Sequence, residues 1–332
     1  MKKLPIKNIL LLLVFLGTFL LIAELSIRIT YGVRLVYEVD NELYWKLKPN
    51  QIGHPDFGLP TASINSDGFR GKEITPPHNC NILVLGDSYS FGWGVLDNET
   101  YPSLLDAFMG SSTEVINAAI PGYGLFQENI LFKRIYPNLN PDVVILLLNK
   151  HDLVRTPFTN ESAKEKYLLH ITLRKKIGRY SELSKFVSQR INRAFGTRLG
   201  IDSLNYVSEY QDFKTLWANQ QHYIEEMTAI LAKDNKKLYL ILYPPKINNQ
   251  TASAEFYNTI TNSVGSNIVF IDDLDNANLT AEEAHISATD WHPSALAHQL
   301  IATRIYQEFQ RANFMFNGKT CKPTSYPHPQ SS

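Results

Sequence analysis

Short apolar runs alternate with amphipathic stretches along most of the chain between Asn81 and Phe309. The runs are rich in Val, Ile and Leu, are shorter than a typical helix and end at turn-forming residues, which is characteristic of buried strands. The stretches between the runs repeat apolar residues at helical spacing. This alternation predicts an α/β domain, in which helices cover both faces of a parallel sheet and right-handed crossovers join its strands.

Five strands and five helices are predicted from this pattern. The strands are expected at about Ile82–Leu85, Glu114–Asn117, Val143–Leu148, Leu238–Tyr243 and Ile268–Ile271. The helices are expected at about Thr100–Phe108, Gln127–Tyr136, Phe213–Lys233, Ala252–Val264 and Pro293–Phe309. We therefore assign residues 81–312 to one domain, preceded by an extended lead-in over residues 31–80 and followed by a tail over residues 313–332.

A separate apolar segment lies at the amino terminus, within residues 1–30. Three lysines precede an apolar run from Ile9 to Ala23, and residues 8–27 cover the roughly 20 positions that a membrane-spanning helix needs. Because no Ala-x-Ala-like site follows, a retained signal anchor is favoured over a cleaved signal peptide, which remains the alternative. The lysines predict that the amino terminus stays inside the cell and that everything after Arg28 lies outside it.

Residues 154–201 interrupt the alternation with an insertion of different composition. Its 11 Lys and Arg residues face only 3 Glu residues, and apolar residues recur at helical spacing between Leu183 and Phe195. One interpretation is a basic helical lid that rests on anionic lipid headgroups or holds an acidic substrate. The other is an ordinary solvated helix face, and the sequence does not separate the two.

Composition excludes several classes of function. The chain has 332 residues, of which 44% are hydrophobic, and its formal net charge is zero. Nucleic-acid-binding proteins usually carry an excess of positive charge, which this chain lacks, so no nucleic-acid partner is expected. Zinc-type Cys/His spacing and phosphate-binding loops are also absent from the sequence, so neither a metal nor a bound cofactor is predicted.

Cys80 and Cys321 are the two cysteines of the chain. Cys80 lies where the first strand begins, and the last helix runs back toward that same end of the sheet. The two residues are therefore expected to meet and form a disulfide, which fits an exported domain. Two unpaired thiols are the alternative.

Ser88 follows the first strand in the segment Gly86-Asp87-Ser88. Open α/β sheets bind their ligands just beyond the carboxyl ends of their strands, so this serine stands where a nucleophile is useful. The tripeptide alone is weak evidence, because it also occurs by chance in ordinary loops.

Three further segments bring polar groups to the same edge of the predicted sheet. Gly122 lies in a glycine-bearing turn whose backbone N–H can donate to an oxyanion. Asn149 and His151 follow the third strand, and Asp290 and His292 precede the last helix. Together with the serine, a histidine base and a carboxylate that orients it make up the Ser–His–acid arrangement of acyl-transfer enzymes.

On these segments the chain resembles the SGNH (GDSL-type) hydrolases, in particular membrane-anchored bacterial members related to polysaccharide O-acetylation proteins. The similarity covers about residues 65–309, and its four blocks occur in the family's order at Gly86-Asp87-Ser88, Gly122, Lys150-His151-Asp152 and Asp290-Trp291-His292-Pro293. The chain does not match the α/β-hydrolase pattern, because Gly86-Asp87-Ser88-Tyr89-Ser90 lacks the second elbow glycine.

The resemblance implies a flavodoxin-like three-layer sandwich around a five-stranded parallel sheet, in addition to the N-terminal transmembrane helix. It also implies that Ser88 is the nucleophile, His292 the base and Asp290 the orienting acid. The implied oxyanion donors are the N–H groups of Ser88 and Gly122 and a side chain of the third block.

Two blocks depart from the family pattern. The third block usually carries Asn at the position that His151 occupies here, with Asn149 two residues earlier, so His151 is the expected donor and Asn149 the alternative. The last block is commonly Asp-x-x-His, whereas Asp290 and His292 are separated by one residue.

Three functions are consistent with this sequence. The first is an extracytoplasmic serine esterase or O-acyl (acetyl) transferase, held by its anchor near an acylated cell-envelope glycan or lipid, with a membrane O-acyltransferase as a partner. The second is a lipase or thioesterase of the same fold, which needs a wider apolar acyl pocket. The third is a catalytically silent glycan-binding or assembly protein, which the replacement of Asn by His151 favours.

Overall fold

The computed structural model describes residues 5–75, 78–178, 181–199, 212–243, 250–263, 268–271, 279–316 and 318–322. The predicted positions Lys2, Lys3, Arg179, Ile201 and Val264, and the tail from residue 323 onward, lie outside these residues.

The described elements follow one another in a strand–helix alternation that is preceded by a long helix and four short strands. Helices are α1 Ile6–Tyr31, α2 Ser88–Phe91, α3 Tyr101–Met109, α4 Leu125–Leu139, α5 Lys150–Val154, α6 Glu161–Gly178, α7 Glu182–Leu199, α8 Phe213–Lys233, α9 Gln250–Thr261, α10 Ala281–Ala284 and α11 Ala295–Arg311. Strands are β1 Tyr37–Asp40, β2 Tyr44–Leu47, β3 Gln51–Gly53, β4 Ala62–Ile64, β5 Cys80–Leu85, β6 Thr113–Asn117, β7 Val143–Leu148, β8 Leu238–Leu242, β9 Ile268–Ile271, β10 His285–Ser287, β11 Asp290–Pro293, β12 Met315–Phe316 and β13 Lys319–Thr320.

A five-stranded parallel sheet with the order β6-β5-β7-β8-β9 forms the centre of the molecule. All five strands that the apolar runs predict are present, and β7 has the predicted bounds Val143–Leu148. Every residue of β7 is buried, as expected for a strand that helices cover on both faces. The order corresponds to the flavodoxin-like arrangement, in which the chain moves first to one side of its first strand and then to the other.

The two faces of the sheet form two separate apolar clusters. Leu83 and Leu85 of β5 pack with α4, α8 and α9, whereas Ile82 and Val84 pack with α3 and α11. Successive side chains of a strand point to opposite faces, so one buried strand contributes to both clusters. The three-layer α/β sandwich is therefore confirmed.

The lead-in is more structured than the sequence predicts. Strands β1 and β2 form one antiparallel hairpin and β3 and β4 form another, and an isolated bridge joins Arg70 to Asn117 at the end of β6. Leu43, Leu47 and Ile64 are buried in the same apolar cluster as α4 and α8. Residues 37–64 thus contribute to the core as well as connecting α1 to the sheet.

The last helix begins later than predicted. Pro293 ends strand β11, and α11 starts at Ala295 with the Ser294 hydroxyl accepting a hydrogen bond from the Ala297 N–H. Serine is a strong N-cap because its oxygen satisfies one of the unpaired N–H groups of the first turn. The prediction of Pro293 as the first helical residue was wrong for this reason.

Cys80 and Cys321 form a disulfide, with their Cα atoms 5.6 Å apart. Cys80 is the first residue of β5, and Cys321 follows the small β12–β13 hairpin after α11. The predicted pairing is confirmed. Helix α11 runs from the carboxyl ends of the strands back toward the end of the sheet where β5 begins, which brings Cys321 to Cys80.

Helix α1 is 26 residues long and buries none of them. An 18-residue window within it has a mean hydropathy of 2.5, so its length and composition suffice to cross a membrane, although an N-terminal signal sequence has the same properties.

The insertion forms the two helices α6 and α7. Helix α6 contacts β1 and α7, and α7 contacts α1.

Candidate active site

The candidate site lies where the strand order of the sheet reverses. Leu85 of β5 pairs with Leu146 of β7, and Ser88 and Asn149 each lie three residues beyond these partners. Strand β6, which leads toward Gly122, pairs with the other edge of β5. Crevices at such reversal points, beyond the carboxyl ends of the strands, are where open α/β sheets bind their ligands.

A tight turn between β5 and α2 presents Ser88. Gly86 has φ = 144°, and a Cβ atom there would lie 2.3 Å from Ser90 Oγ, so the turn requires glycine. Asp87 caps α2 by accepting a hydrogen bond from the Tyr89 N–H at 2.9 Å. Ser88 is therefore the first residue of a short helix rather than a loop residue.

A hydrogen-bonded chain connects Ser88 to a histidine and a carboxylate. Ser88 Oγ lies 2.9 Å from His292 Nε2, and His292 Nδ1 lies 2.6 Å from Asp290 Oδ1. The hydrogen bond from His292 is the largest influence on Asp290 and lowers the pKa of that carboxyl. Such an arrangement can draw the proton from the serine hydroxyl onto Nε2 while the carboxylate holds the ring in place.

The spacing of Asp290 and His292 follows from the strand on which they lie. Alternate residues of a strand point to the same face, so residues two apart on β11 both face Ser88, and Trp291 between them faces away. Trp291 is 49% exposed and packs against the His285 ring, with the centroids 5.1 Å apart. The strand conformation of β11 thus lets an Asp-x-His sequence bring its carboxylate and its imidazole into hydrogen-bonding distance.

Two aromatic rings enclose the imidazole of His292. Trp93 stacks on it with centroids 5.6 Å apart, and Tyr89 meets it in an edge-on arrangement at 5.3 Å. These rings restrict the imidazole to the orientation in which Nε2 faces Ser88 Oγ.

Three hydrogen-bond donors at the candidate oxyanion hole have no partner among the described residues. The N–H groups of Ser88 and Gly122 donate to no other described residue, and Ser88 N–H, at the start of α2, has no acceptor within its helix. Asn149 is buried, and its Nδ2 also has no partner. Asn149 Nδ2 is a buried atom, and buried donors without acceptors are rare in folded proteins. Together the three donors are suited to bind an oxygen that becomes negatively charged during a reaction.

His151 differs from Asn149 in exposure. Its side chain is exposed, and its backbone N–H donates to Asn149 Oδ1 at 2.7 Å. That bond fixes the Asn149 amide so that Oδ1 is occupied and Nδ2 remains available. The geometry therefore favours Asn149, the alternative donor, over His151.

The sequence of the chain matches a known protein family over the region that contains this site. The GDSL-like lipase/acylhydrolase family model matches residues 84–300, which is more than half of the chain and includes Ser88 and His292. The chain belongs to the GDSL-like lipase/acylhydrolase family. It is therefore an ester-hydrolysing enzyme by family.

Several solved structures are similar to this chain at low sequence identity. TesA is 14% identical over 70% of this chain and 98% of its own, with a TM-score of 0.44. The psychrotrophic esterase EstA from Pseudoalteromonas sp. is 17% identical over 70% and 97%, with a TM-score of 0.41. Axe2, an acetylxylan esterase from Geobacillus stearothermophilus, is 12% identical over 71% and 96%, with a TM-score of 0.40. No curated protein sequence matches the chain.

The lead-in supports the oxyanion turn of this GDSL-like enzyme in a way that the sequence analysis missed. Trp45 of β2 donates from Nε1 to the Pro121 carbonyl at 3.1 Å, and Tyr123 donates from its hydroxyl to the Trp45 carbonyl at 2.6 Å. Gly122 has φ = 87°, and a Cβ atom there would lie 3.0 Å from the Trp45 ring. No local pattern around Trp45 indicates this role, because the contact joins residues far apart in the sequence.

Arg70 holds the carboxyl end of the nucleophile helix. Its guanidinium is buried and donates to the carbonyls of Phe91, Gly92 and Val95, with an ion pair to Asp97 at 2.8 Å. Burial lowers the pKa of Arg70. Cations at a helix carboxyl end satisfy its unpaired carbonyls, so Arg70 stabilises the turn on which Ser88 depends.

A group of buried acids lies behind the serine. Asp87 lies 3.6 Å from the Arg155 guanidinium, and Asp152 Oδ2 accepts a hydrogen bond from the Asn149 N–H at 2.7 Å. Both side-chain oxygens of Glu128 are buried without a hydrogen-bond partner. Burial raises the pKa of Glu128 and of Asp152 well above their ordinary values, and the Asp87 charge adds to this effect. We will call Asp87, Glu128 and Asp152 the buried acid group.

Proposed function

We propose that the protein is a membrane-anchored serine esterase or O-acyl transferase whose catalytic domain lies outside the cytoplasm. Its substrate class is an acylated glycan or lipid of the cell envelope. The hydrogen-bonded chain from Ser88 through His292 to Asp290 is the observation that supports the chemistry, because it prepares a serine for attack on an ester carbonyl.

The proposed reaction has two steps. Ser88 Oγ attacks the ester carbonyl while His292 Nε2 takes the hydroxyl proton, and the carbonyl oxygen becomes an oxyanion bound by the N–H groups of Ser88 and Gly122 and by Asn149 Nδ2. The ester C–O bond breaks, and the leaving alkoxide receives the proton from His292, which leaves an acyl ester on Ser88. Water, or the hydroxyl of a glycan acceptor, then gives its proton to His292 Nε2 and attacks the acyl carbon. The bond from the acyl carbon to Ser88 Oγ breaks, and His292 returns the proton to Ser88 Oγ.

The membrane location rests on α1 and on its contacts with the rest of the chain. The Glu24 carboxylate on α1 accepts hydrogen bonds from the Ser181 hydroxyl at 2.9 Å and from the N–H groups of Glu182 and Leu183 at 2.9 and 2.8 Å. Because part of the α7 amino terminus depends on α1, cleavage after α1 would leave these donors unpaired. This contact supports a retained anchor over a cleaved signal peptide.

A chain-length series of p-nitrophenyl esters tests the proposed activity with the full-length protein in detergent. We expect turnover to be highest with acetate or another short acyl group. Preference for long acyl chains would instead support a lipase or thioesterase, and absence of turnover with every ester would contradict the proposal in favour of a silent binding protein.

Substitution of the nucleophile tests the assignment of Ser88. Ser88→Ala and His292→Ala are each expected to lower kcat by roughly 10⁴ or more, because triad residues act as a unit, with a smaller change in KM. Ser90→Ala is a matched control, since Ser90 lies on the same short helix α2 and its hydroxyl is hydrogen-bonded to the Tyr101 hydroxyl rather than to a histidine. A fluorophosphonate that labels a residue other than Ser88 would refute the assignment.

A further inference from the structure

We call helices α6 and α7 the insertion hairpin. Helix α7 is attached to the end of α1, and α6 contacts β1 and α7. Besides the Glu24 contacts, Phe186 of α7 stacks on Tyr31 at the end of α1, with the ring centroids 5.7 Å apart. Gln189 of α7 donates to both carboxylate oxygens of Asp56 at 2.8 Å. These contacts position α7 firmly beside the carboxyl end of α1.

The length of α1 places this attachment at a membrane surface. From Ile6 to Glu24 the helix spans 19 residues, which at about 1.5 Å per residue is roughly 28 Å, close to the hydrocarbon thickness of a bilayer. Glu24 and the amino terminus of α7 would then lie at the boundary between hydrocarbon and headgroups. The amino terminus of α7 therefore lies at the level of the headgroups.

The hairpin leaves an apolar pair exposed on each of its helices. On α7, the docked residues Glu182, Lys185, Phe186 and Gln189 lie within about one third of the helix circumference, and Val187 and Ile191 lie on the opposite side, at about 100° of rotation per residue. Both residues are 45% exposed. Exposed apolar patches on a protein surface mark membrane or protein contacts when they are contiguous, and this pair lies beside the apolar helix α1.

Helix α6 repeats this arrangement. Tyr167 packs against the Tyr44 ring of β2 and the Phe158 ring, with centroids 6.0 and 5.3 Å apart. Leu169 and Leu173 lie on the other side of the helix and are 60% and 53% exposed. Each helix thus packs against the protein with one face and presents an i, i+4 apolar pair on the other.

The positive charge of the insertion hairpin indicates which kind of surface its exposed apolar pairs would contact. By sequence, α6 and α7 together carry nine Lys or Arg residues against three Glu residues, whereas the whole chain is neutral. Lys166 and Arg190 are exposed on the same two helices. Exposed apolar residues flanked by cations are characteristic of helices that lie in the interface of an anionic membrane.

We propose that the insertion hairpin lies on the membrane surface beside α1, with its exposed apolar pairs among anionic lipid headgroups. This second attachment would restrain the orientation of the catalytic domain relative to the bilayer, which a single helix and a lead-in cannot do alone. The proposal concerns a surface separate from the Ser88 site and does not depend on the identity of the ester.

Fluorescence quenching in nanodiscs tests this contact with the full-length protein. A nitrobenzoxadiazole probe is attached to Val187→Cys or Leu169→Cys while the native disulfide stays oxidised, and the lipid carries a nitroxide on its headgroup. We expect both probes to be quenched several-fold more strongly in phosphatidylglycerol-containing discs than in pure phosphatidylcholine discs. Gln310→Cys is the control, because Gln310 is exposed on α11, which covers the opposite face of the sheet.

Charge-reversal variants test whether the contact between the insertion hairpin and the lipid headgroups is electrostatic. Lys166→Glu together with Arg190→Glu should reduce the quenching at position 187 and its dependence on salt, while Lys237→Glu on the loop before β8 should not. Turnover of a soluble ester should be the same in all three proteins, because none of these residues lies at the active site.

Two results would overturn the proposal. If the probes at 187 and 169 are quenched no more than the probe at 310 in every lipid, the face does not contact the membrane and is free for a protein partner. If quenching is equal in both kinds of disc and insensitive to charge reversal, the contact is not with anionic headgroups.

Discussion

At the scale of single residues, sequence and structure diverge at the third donor of the proposed oxyanion hole. The family pattern points to His151, whereas the structure buries Asn149 and leaves its Nδ2 without a partner. The His151 N–H binds Asn149 Oδ1, so the residue at the family position orients the amide through its backbone. His151 as the donor itself remains a prediction that only kinetics can decide.

We expect Asn149→Ala to lower kcat by about 10²–10³ with little change in KM, as loss of one oxyanion donor does. His151→Ala should stay within a few-fold of wild type, because the backbone bond that orients Asn149 does not involve its ring. Steady-state kinetics with p-nitrophenyl acetate measure both. A large loss in His151→Ala beside a normal Asn149→Ala would instead identify His151 as the donor.

Glu128 shows how the buried acid group links stability to pH. Burial raises the pKa of Glu128 well above its ordinary value of 4.5, so the folded protein keeps a proton that the unfolded chain has already released. Folding therefore takes up a proton. The stability that this provides is fully present below the unfolded pKa and is lost as pH rises toward the folded pKa.

In Glu128→Gln, an amide that does not titrate replaces the neutral acid. The free energy of unfolding should fall less between pH 5 and pH 8 than in wild type, with slopes that differ by at most about 1.4 kcal/mol per pH unit for one proton. Urea denaturation across this pH range measures the slopes, and Glu225→Gln, an exposed position on α8, is the control. Parallel slopes for wild type and Glu128→Gln would show that Glu128 is ionised in the folded protein.

At the scale of elements, the short segments that carry the candidate catalytic groups are stabilised by segments far away in the sequence. Helix α2 has only four residues, too few to be stable alone, and Arg70 from the lead-in satisfies the carbonyls at its end. The Gly122 turn is likewise supported by Trp45 of β2. The lead-in therefore supports the segments that form the candidate active site.

Helix α7 depends on α1 in the same manner, through Glu24. Glu24→Ala removes the acceptor of three hydrogen bonds at the start of α7, and loss of such a cap costs about 1 kcal/mol. We expect faster hydrogen exchange at the amides of residues 182–184, by about tenfold at most, measured by mass spectrometry on the full-length protein. Glu161→Ala at the start of α6 is the control, because it is mostly exposed, and equal exchange in both variants would argue against the cap.

At the scale of the whole molecule, the disulfide joins the first strand of the sheet to the end of the described chain. Cys80 and Cys321 are 241 residues apart, and both are buried in the apolar cluster of α3 and α11. A cross-link over so long a loop acts mainly by restricting the unfolded chain.

Replacing both cysteines by serine should lower the free energy of unfolding by up to about 4–5 kcal/mol, and by less if the unfolded chain retains structure. Urea denaturation without reductant measures this difference. Adding a reductant should destabilise wild type but not the double variant. Two thiols that alkylate freely in unreduced, denatured protein would show that the disulfide does not form.

The sequence by itself determined the features that depend on local pattern. Strand β7 and helix α8 begin and end where their apolar runs predict, because burial on one or both sides leaves a periodic signature. Ser88, Asp290 and His292 were predicted as partners because each lies at a strand or helix end that this pattern locates. The structure brings them within hydrogen-bonding distance.

Tertiary structure decided what depends on contacts between residues far apart in the chain. The sequence did not indicate that Trp45 and Arg70 support the candidate site or that Glu24 caps α7. It also left open the choice between Asn149, which the structure buries, and His151, which is exposed. None of these features has a periodic signal, since each arises when one segment folds against another. Whether a buried donor such as Asn149 Nδ2 has a hydrogen-bond partner is decided only in that packed arrangement, and this is the observation on which the proposed oxyanion site rests.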